Sequence, residues 1–443
     1  MVLATDHHLT LIERWDRHPL LRTRVESLLA VVEDAAGDCE QANAAERRVI
    51  EELRQMGNEA LTAWAERGVE KQTGLAQVEP NWRPGGKKLY GYTTFGPIEV
   101  MEPLWRNGTG IERPFSVAAG MKCRGSSLPL QQVMTDFGAD DAFRPGTAQL
   151  KAHYGIEMPV STVQRTTEYH AEGLYAQERA RMIKPGTAAG FLIGEMDGSM
   201  APVVEPAPDV QDHRKGKRLS WKEVRLNLVH PKGSVTPVFG GNFAGGVEES
   251  GRQWERCAAK AGFGPQSQWH AIGDGAPWIA DQLDLHFGTQ GHYLVDFFPL
   301  CEYLSEASKV GDADDPQAWL DPRKDRLKAH QAALVLAALA PFVEADSDAP
   351  VAACDRYLRN RLDPLDYQGA IPQGLPIGSG EIESAHRYLI QKRLKLPGAW
   401  WSSAHIESLL ALRLNRANHD WETYWQGLEK QAAGTGQSLV ASL

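Results

Sequence analysis

The sequence has no run of 18 apolar residues, so no segment reads as a helix able to cross a bilayer. Its start, MVLATDHHLTLIERWDRHPLL, meets Asp6, Glu13 and Asp16 too early for the apolar core of a secretory leader or anchor. The expected setting is therefore the cytoplasm, with no membrane partner. Cysteine is scarce: Cys39, Cys123, Cys257, Cys301 and Cys354 are scattered, and none forms a CxxC pair. That excludes a disulfide framework and a zinc knuckle. Positive charge is also short, with 47 Lys and Arg against 57 Asp and Glu for a net charge of −10.

The shortage is local. Residues 1–80 carry 15 acids and 9 bases, and residues 311–366 carry 11 and 7, which accounts for the whole excess of acids. Elsewhere bases cluster, in HRKGKRLSWKEVR (213–225) with Arg214, Lys215, Lys217 and Arg218, and in HRYLIQKRLK (386–395) with His386, Arg387, Lys392 and Arg393. Phosphate contacts need only local positive surface, so a net acidic chain can still bind nucleic acid. A solvated polar loop is the plainer reading of 213–218.

At 443 residues and 42% hydrophobic content, the chain is long enough for two or three domains. Residues 1–80 read as a helical hairpin, a candidate for dimerisation, with Val25, Leu28, Leu29 and Val32 facing Val49, Ile50, Leu53 and Met56 at helical spacing. Residues 81–126 read as a small β-hairpin region built from LYGYTTF and IEVMEPLW. Residues 127–185 have helix-turn-helix spacing: Leu150 and Tyr154 precede a turn at Gly155, Ser161 caps a second helix, and Val163 packs back. That second helix would turn Thr162, Gln164, Arg165 and Thr167 towards bases or phosphates. From residue 186 to 310, three strands are followed by alternating helices and strands, the order a ribonuclease H-like fold needs. Residues 311–374 read as a helical insertion, and residues 375–443 return to the core with C-terminal helices. The expected fold is multidomain α+β: a ribonuclease H-like mixed-sheet catalytic domain with an all-helical insertion, preceded by the helical and small β/helix-turn-helix regions.

Three acids stand out against this background: Asp197 in FLIGEMDGSM, Asp274 in WHAIGDGAPWIA and Glu383 in PIGSGEIESAHRYLI. The first two end apolar, strand-like runs and the third opens a helix, so one fold could bring them together. Converged carboxylates bind Mg²⁺, and a pair of such ions supports phosphoryl transfer. Each acid alone is also an ordinary strand end or helix cap.

The stretch IGSGEIESAHRYLIQKRLKLPGAWWSSAHIESLLALRLNRANHDWETYW resembles the C-terminal signature of the Kra-type family of bacterial insertion-sequence transposases, in which Gly-Ser-Gly-x-Ile-Glu-Ser opens the helix bearing a catalytic glutamate. GDGAPWI and MDGS are similar to that family's second and first aspartate motifs. The resemblance implies that Glu383, not Glu381, joins Asp197 and Asp274 as catalytic and metal-binding residues. It implies Mg²⁺ at two per site, with Mn²⁺ able to substitute, and His386 and Arg387 near the scissile phosphate. The implied activity is a DDE transposase that cleaves transposon DNA ends and joins them to target DNA. The implied partners are double-stranded DNA at the ends and the target, and a homodimer or larger assembly at the nucleoid. A ribonuclease H-like nuclease without strand transfer, or a non-catalytic DNA-binding descendant, is the alternative. The chain departs from the family's pattern at Pro299, where a histidine would follow Asp296, and in lacking paired cysteines near PLWRNGTGIERPF.

Overall fold

The computed structural model describes residues 10–34, 38–75, 83–106, 110–119, 125–181, 189–207, 216–311 and 314–435. Arg214, Lys215 and Cys123 lie outside the described residues. The chain forms two compact units, Met1–Thr167 with Glu422–Leu443, and Glu168–Trp421.

In the first unit, α1 (Leu11–Arg17), α2 (Pro19–Asp34) and α3 (Ala42–Leu75) precede a four-stranded sheet. Leu29, Val32, Ile50 and Leu53, expected in the seam between the helices, are exposed instead. The pairing of α2 with α3 includes Arg24, which reaches Glu52 at 3.6 Å and Glu59 at 3.8 Å. The sheet holds β1 (Arg83–Thr93), β2 (Gly96–Arg106), β3 (Ile111–Glu112) and β4 (Gly125–Ser126) in the order β3-β2-β1-β4, with the short α4 (Pro114–Ala118) beside it. Alternation along β1 and β2 turns Leu89, Ile98 and Val100 onto Ala65 and Val69 of α3 and onto Phe115. Three helices follow, α5 (Leu128–Asp140), α6 (Phe143–Tyr154) and α7 (Val160–Ala180). Gly155 ends α6 at φ 69°, where a left-handed residue closes a helix well. Leu130, Met134, Leu150, Ile156 and Val163 make the small core of this trio. Ser161 lies inside α7 rather than capping it.

The second unit is a mixed α+β fold around a five-stranded sheet. Its strands are β5 (Phe191–Pro206), β6 (Lys217–Pro231), β7 (Val238–Asn242), β8 (Gln268–Gly273) and β9 (Gly291–Val295), in the order β7-β6-β5-β8-β9. The first three run antiparallel, and β8 and β9 are parallel to β5. This order, with the first strand central, is consistent with a ribonuclease H-like fold. Between the strands lie α8 (Gly246–Lys260) and α9 (Pro277–Phe287). They cover one face, where Leu192, Met196 and Ala271 meet Trp254, Trp269, Ile279 and Phe287. Trp269 stacks on Phe287 at 4.3 Å between ring centroids.

After β9 come α10 (Phe297–Gly311), α11 (Pro316–Lys328), α12 (Ala332–Leu339), α13 (Pro350–Arg359) and α14 (Tyr367–Ala370). Phe297 and Phe298 begin α10 rather than prolonging β9. These helices share a core that includes Leu300, Leu304, Val335, Cys354 and Leu358. The chain then returns through α15 (Gly380–Ala385), a π-helical segment (His386–Gln391) and α16 (Lys392–Leu394), followed by α17 (Ser403–Ala417) and α18 (Trp421–Thr435). On β5, Glu195 and Asp197 alternate with Met196, so they point away from α8 and α9. The helix α15 packs on that second face, since the Ile382 N–H donates to Glu195 Oε2 at 2.7 Å.

Candidate active site

Asp197 does not end its strand. Asp and Gly are poor strand formers, yet β5 runs on to Pro206, because β6 pairs with it from Leu192↔Pro231 through Asp197↔Leu226 to Pro206↔Lys217. The carboxyl therefore stands mid-strand on the face that α15 covers. Asp274 follows β8 directly, and its Oδ1 accepts the Ala276 N–H at 2.9 Å as α9 begins. Gly275 takes φ +85°, a left-handed conformation that glycine adopts without strain. The turn is held by Tyr357 Oη, which donates to the Asp274 carbonyl at 2.7 Å, and by Arg361 Nε, which donates to the Gly275 carbonyl at 2.7 Å.

Glu383 lies on α15, exposed, with its N–H donating to the Ser379 carbonyl at 3.3 Å. Its neighbour Glu381 turns elsewhere, to His230 Nε2 at 3.4 Å. The two glutamates, two residues apart on one helix, thus face different groups.

The acids act on one another. Burial raises the Asp197 carboxyl to about 6, against the pull of the Gly198 N–H, and the charges of Asp274, Glu383 and Glu223 raise it further. Glu223 is itself paired with Arg225. Yet among the described residues no three His, Cys, Asp or Glu side chains stand close enough together to hold a metal ion. The acids feel each other's charge without forming a closed ligand set.

Around them the structure corrects several expectations. His386, expected at a DNA surface, is 4% exposed, with Nε2 3.4 Å from Asp197 Oδ2. Burial pushes it down to about 4, so it is neutral at ordinary pH. Arg393, also expected to contact DNA, is 1% exposed and lies over the Trp401 ring at 4.6 Å, where its charge serves packing. Arg165, Lys217, Arg218, Arg387 and Lys392 are exposed, Thr162 and Gln164 are half-buried, and Thr167, expected to face outward, is buried with its hydroxyl donating to the Val163 carbonyl.

Other groups of the site escaped the sequence reading. Glu195 is 1% exposed, and burial raises it to about 8 despite the Ile382 N–H that it accepts. Lys395 Nζ donates to Ser199 Oγ at 2.6 Å, and burial lowers its pKa against the attraction of Asp197. Glu195 was discoverable, since it lies two residues before Asp197 in a strand-like run and must share its face. Tyr357 and Arg361 carried no such signal, because only the fold brings them to residue 274.

No family model matches the chain, and no curated protein matches it. Among solved structures it is similar to the Drosophila P element transposase strand transfer complex, at 10% identity and a TM-score of 0.24, over 68% of this chain and 80% of that one. A likeness of that degree establishes neither a family nor an activity.

Proposed function

We propose that the chain is a DDE-type transposase, cleaving transposon DNA ends and joining them to target DNA, with Asp197, Asp274 and Glu383 as its acids. The observation that carries this reading is electrostatic. Acids from a central strand, from the end of its parallel neighbour and from a returning helix all bear on one carboxyl, which burial first, and then the charges of its neighbours, raise to about 6.

The donor chemistry suits a hard divalent cation: the three residues offer oxygen only, and their mutual repulsion is what a cation relieves. Asp197, Asp274 and Glu383 would be the residues that hold two Mg²⁺ ions, or Mn²⁺ in their place. When bound, the ions supply activation of a water and stabilisation of the leaving 3′ oxygen. The chain's own part is to hold the acids. The strand pairing of β5 with β6 fixes Asp197, Tyr357 and Arg361 fix the turn of Asp274, and α15 carries Glu383. Exposed Arg387, Lys392, Lys217 and Arg218, together with Arg165 on α7, are the proposed DNA contacts, and a homodimer or larger assembly at the nucleoid would pair two ends. Among the described residues no helix is long and apolar enough to cross a membrane.

One observation favours a second reading: the absence of a closed ligand set among the described residues suits a DNA-binding protein without catalysis. The test incubates the full chain with Mg²⁺, a labelled duplex from the DNA flanking its gene and a supercoiled plasmid. Joined product supports the transposase. Cut ends without joining favour a nuclease, and binding with neither product favours the DNA-binding protein.

A further inference from the structure

Asp296 is 1% exposed at the end of β9, and the transposase reading gives it no part. Every partner of its carboxylate is a donor from a neighbouring peptide or hydroxyl. The Ser379 N–H donates to Oδ2 at 2.8 Å, the Ser379 hydroxyl donates to the same oxygen, and the Phe298 N–H donates to Oδ1 at 2.7 Å. A carboxylate satisfied in this way is a structural anchor, and removing it leaves buried donors unpaired.

Its place in the chain of bonds gives the anchor a purpose. The Asp296 N–H donates to the Gly273 carbonyl at 2.8 Å, the peptide that leads directly into Asp274. The adjacent Phe297 N–H donates to the Ile377 carbonyl at 2.9 Å. Ser379, gripped by the carboxylate, in turn accepts the N–H of Glu383 through its own carbonyl at 3.3 Å. An unbroken run of hydrogen bonds therefore leads from the peptide before Asp274, through Asp296 and Ser379, to the backbone of Glu383. A Cβ on Gly378 would lie 3.5 Å from Asp296 Oδ1 and within 2.4 Å of the ring of exposed Phe298, which would have to shift.

We infer that Asp296 is a positioning residue, a clasp that sets the spacing of Asp274 and Glu383 by tying the end of β8 to the start of α15. The inference rests on the transposase reading only for what the spacing is used for. The clasp itself is a statement about the segment 377–385. Groups that hold a metal ligand in place typically cost ~10–100-fold in metal affinity or activity when altered.

The test compares the full-length wild type with Asp296→Asn, Ser379→Ala and the exposed control Asp321→Asn. Three quantities are read: amide hydrogen exchange by segment, Mn²⁺ binding followed by electron paramagnetic resonance, and the Mg²⁺ concentration for half-maximal plasmid nicking. Asp296→Asn puts an amide donor where donors must be accepted. It should speed exchange across 378–383 by ~10-fold or more while β5 keeps its protection, and should weaken Mn²⁺ binding and raise the Mg²⁺ requirement by ~10–100-fold. Saturating Mg²⁺ should recover much of the rate, a loss in affinity rather than in turnover. Ser379→Ala should move each quantity the same way by less, and it decides the matter if Asp296→Asn does not fold. Unchanged exchange across 378–383, or a lost rate with an unaltered Mg²⁺ requirement, overturns the clasp. A wild type that neither binds Mn²⁺ nor nicks, with exchange responding as expected, overturns the transposase reading and leaves the clasp standing.

Discussion

Replacing Asp197 with Asn should stabilise the metal-free protein at alkaline pH while ending its chemistry. Asp197 is two-thirds buried, its side chain 33% exposed. Burial first, then the charges of Asp274, Glu383 and Glu223, raise its carboxyl from an ordinary 3.8 to about 6. A raised carboxyl means that the folded state prefers the protonated form. The associated stability is fully present below about pH 4 and is lost as pH rises through about 6. Raising a carboxyl by that amount corresponds to about 3 kcal/mol, which solvent screening of a partly exposed group reduces to ~1–2 kcal/mol. Asn keeps the size and can still accept the Gly198 N–H, but it carries no charge. In EDTA at pH 8 the Asn variant should therefore melt roughly 2–8 °C above wild type, for a unit of about 250 residues. The gap should narrow as pH falls through 6 and close towards zero below about pH 4. Mg²⁺ should then reverse the ranking, because only the wild type gains stability by binding it. The assay is thermal melting of both proteins from about pH 4 to 8, with and without Mg²⁺. An Asn variant that melts below wild type in EDTA at pH 8, or a gap that ignores pH, refutes the claim that Asp197 is held under electrostatic strain.

Glu383→Gln should abolish Mg²⁺-dependent nicking at matched folded concentration, whereas Glu381→Gln should leave it nearly intact and instead lower the pKa of His230. Burial works against that imidazole, and Glu381 with the Pro231 carbonyl holds it raised, so a histidine NMR titration reads the change. Gly194→Ala would set a Cβ within 2.5 Å of the Trp269 ring in a packed core, and should cost ~1–3 kcal/mol by denaturant titration. Arg393→Ala should lower the melting temperature without altering the salt dependence of binding to a duplex. Lys392→Ala should do the reverse, reducing the slope of log K against log salt by about 1.

How much of this was legible in the sequence depends on which forces decide each element. The succession of strands in the second unit was readable, because β-prone runs such as VRLNLV, bounded by turn residues, and WHAIG, set between two helices, stand apart from their surroundings. The reach of β5 was not. Asp197 and Gly198 look like a terminus by propensity, and only the partner strand overrules them. The seam of α2 with α3 was misjudged because a helical spacing of apolar residues names a stripe but not what covers it, and Leu29, Val32, Ile50 and Leu53 stay exposed. Arg393 read as a phosphate contact because charge in a basic cluster says nothing of burial. Of the candidate site, the three acids were nominated from their local settings. The groups that hold them, Glu195, Asp296, Tyr357 and Arg361, act across the fold, where a single sequence shows no pairing.

The bonds from Tyr357 and Arg361 to the turn at Asp274 have a consequence for anyone wishing to shorten this protein. The helices between β9 and α15 look like cargo that a short linker could replace, as surface insertions often are. They are not separable. Arg361 also stacks on the Tyr357 ring at 3.9 Å, so the two form one grip on the peptides at 274 and 275. A miniature protein lacking α11–α14 would keep all three acids and lose the hand that holds one of them. It should fold around its sheet with the Asp274 turn loose, and transplanting the helices without their sheet would leave that grip with nothing to close on.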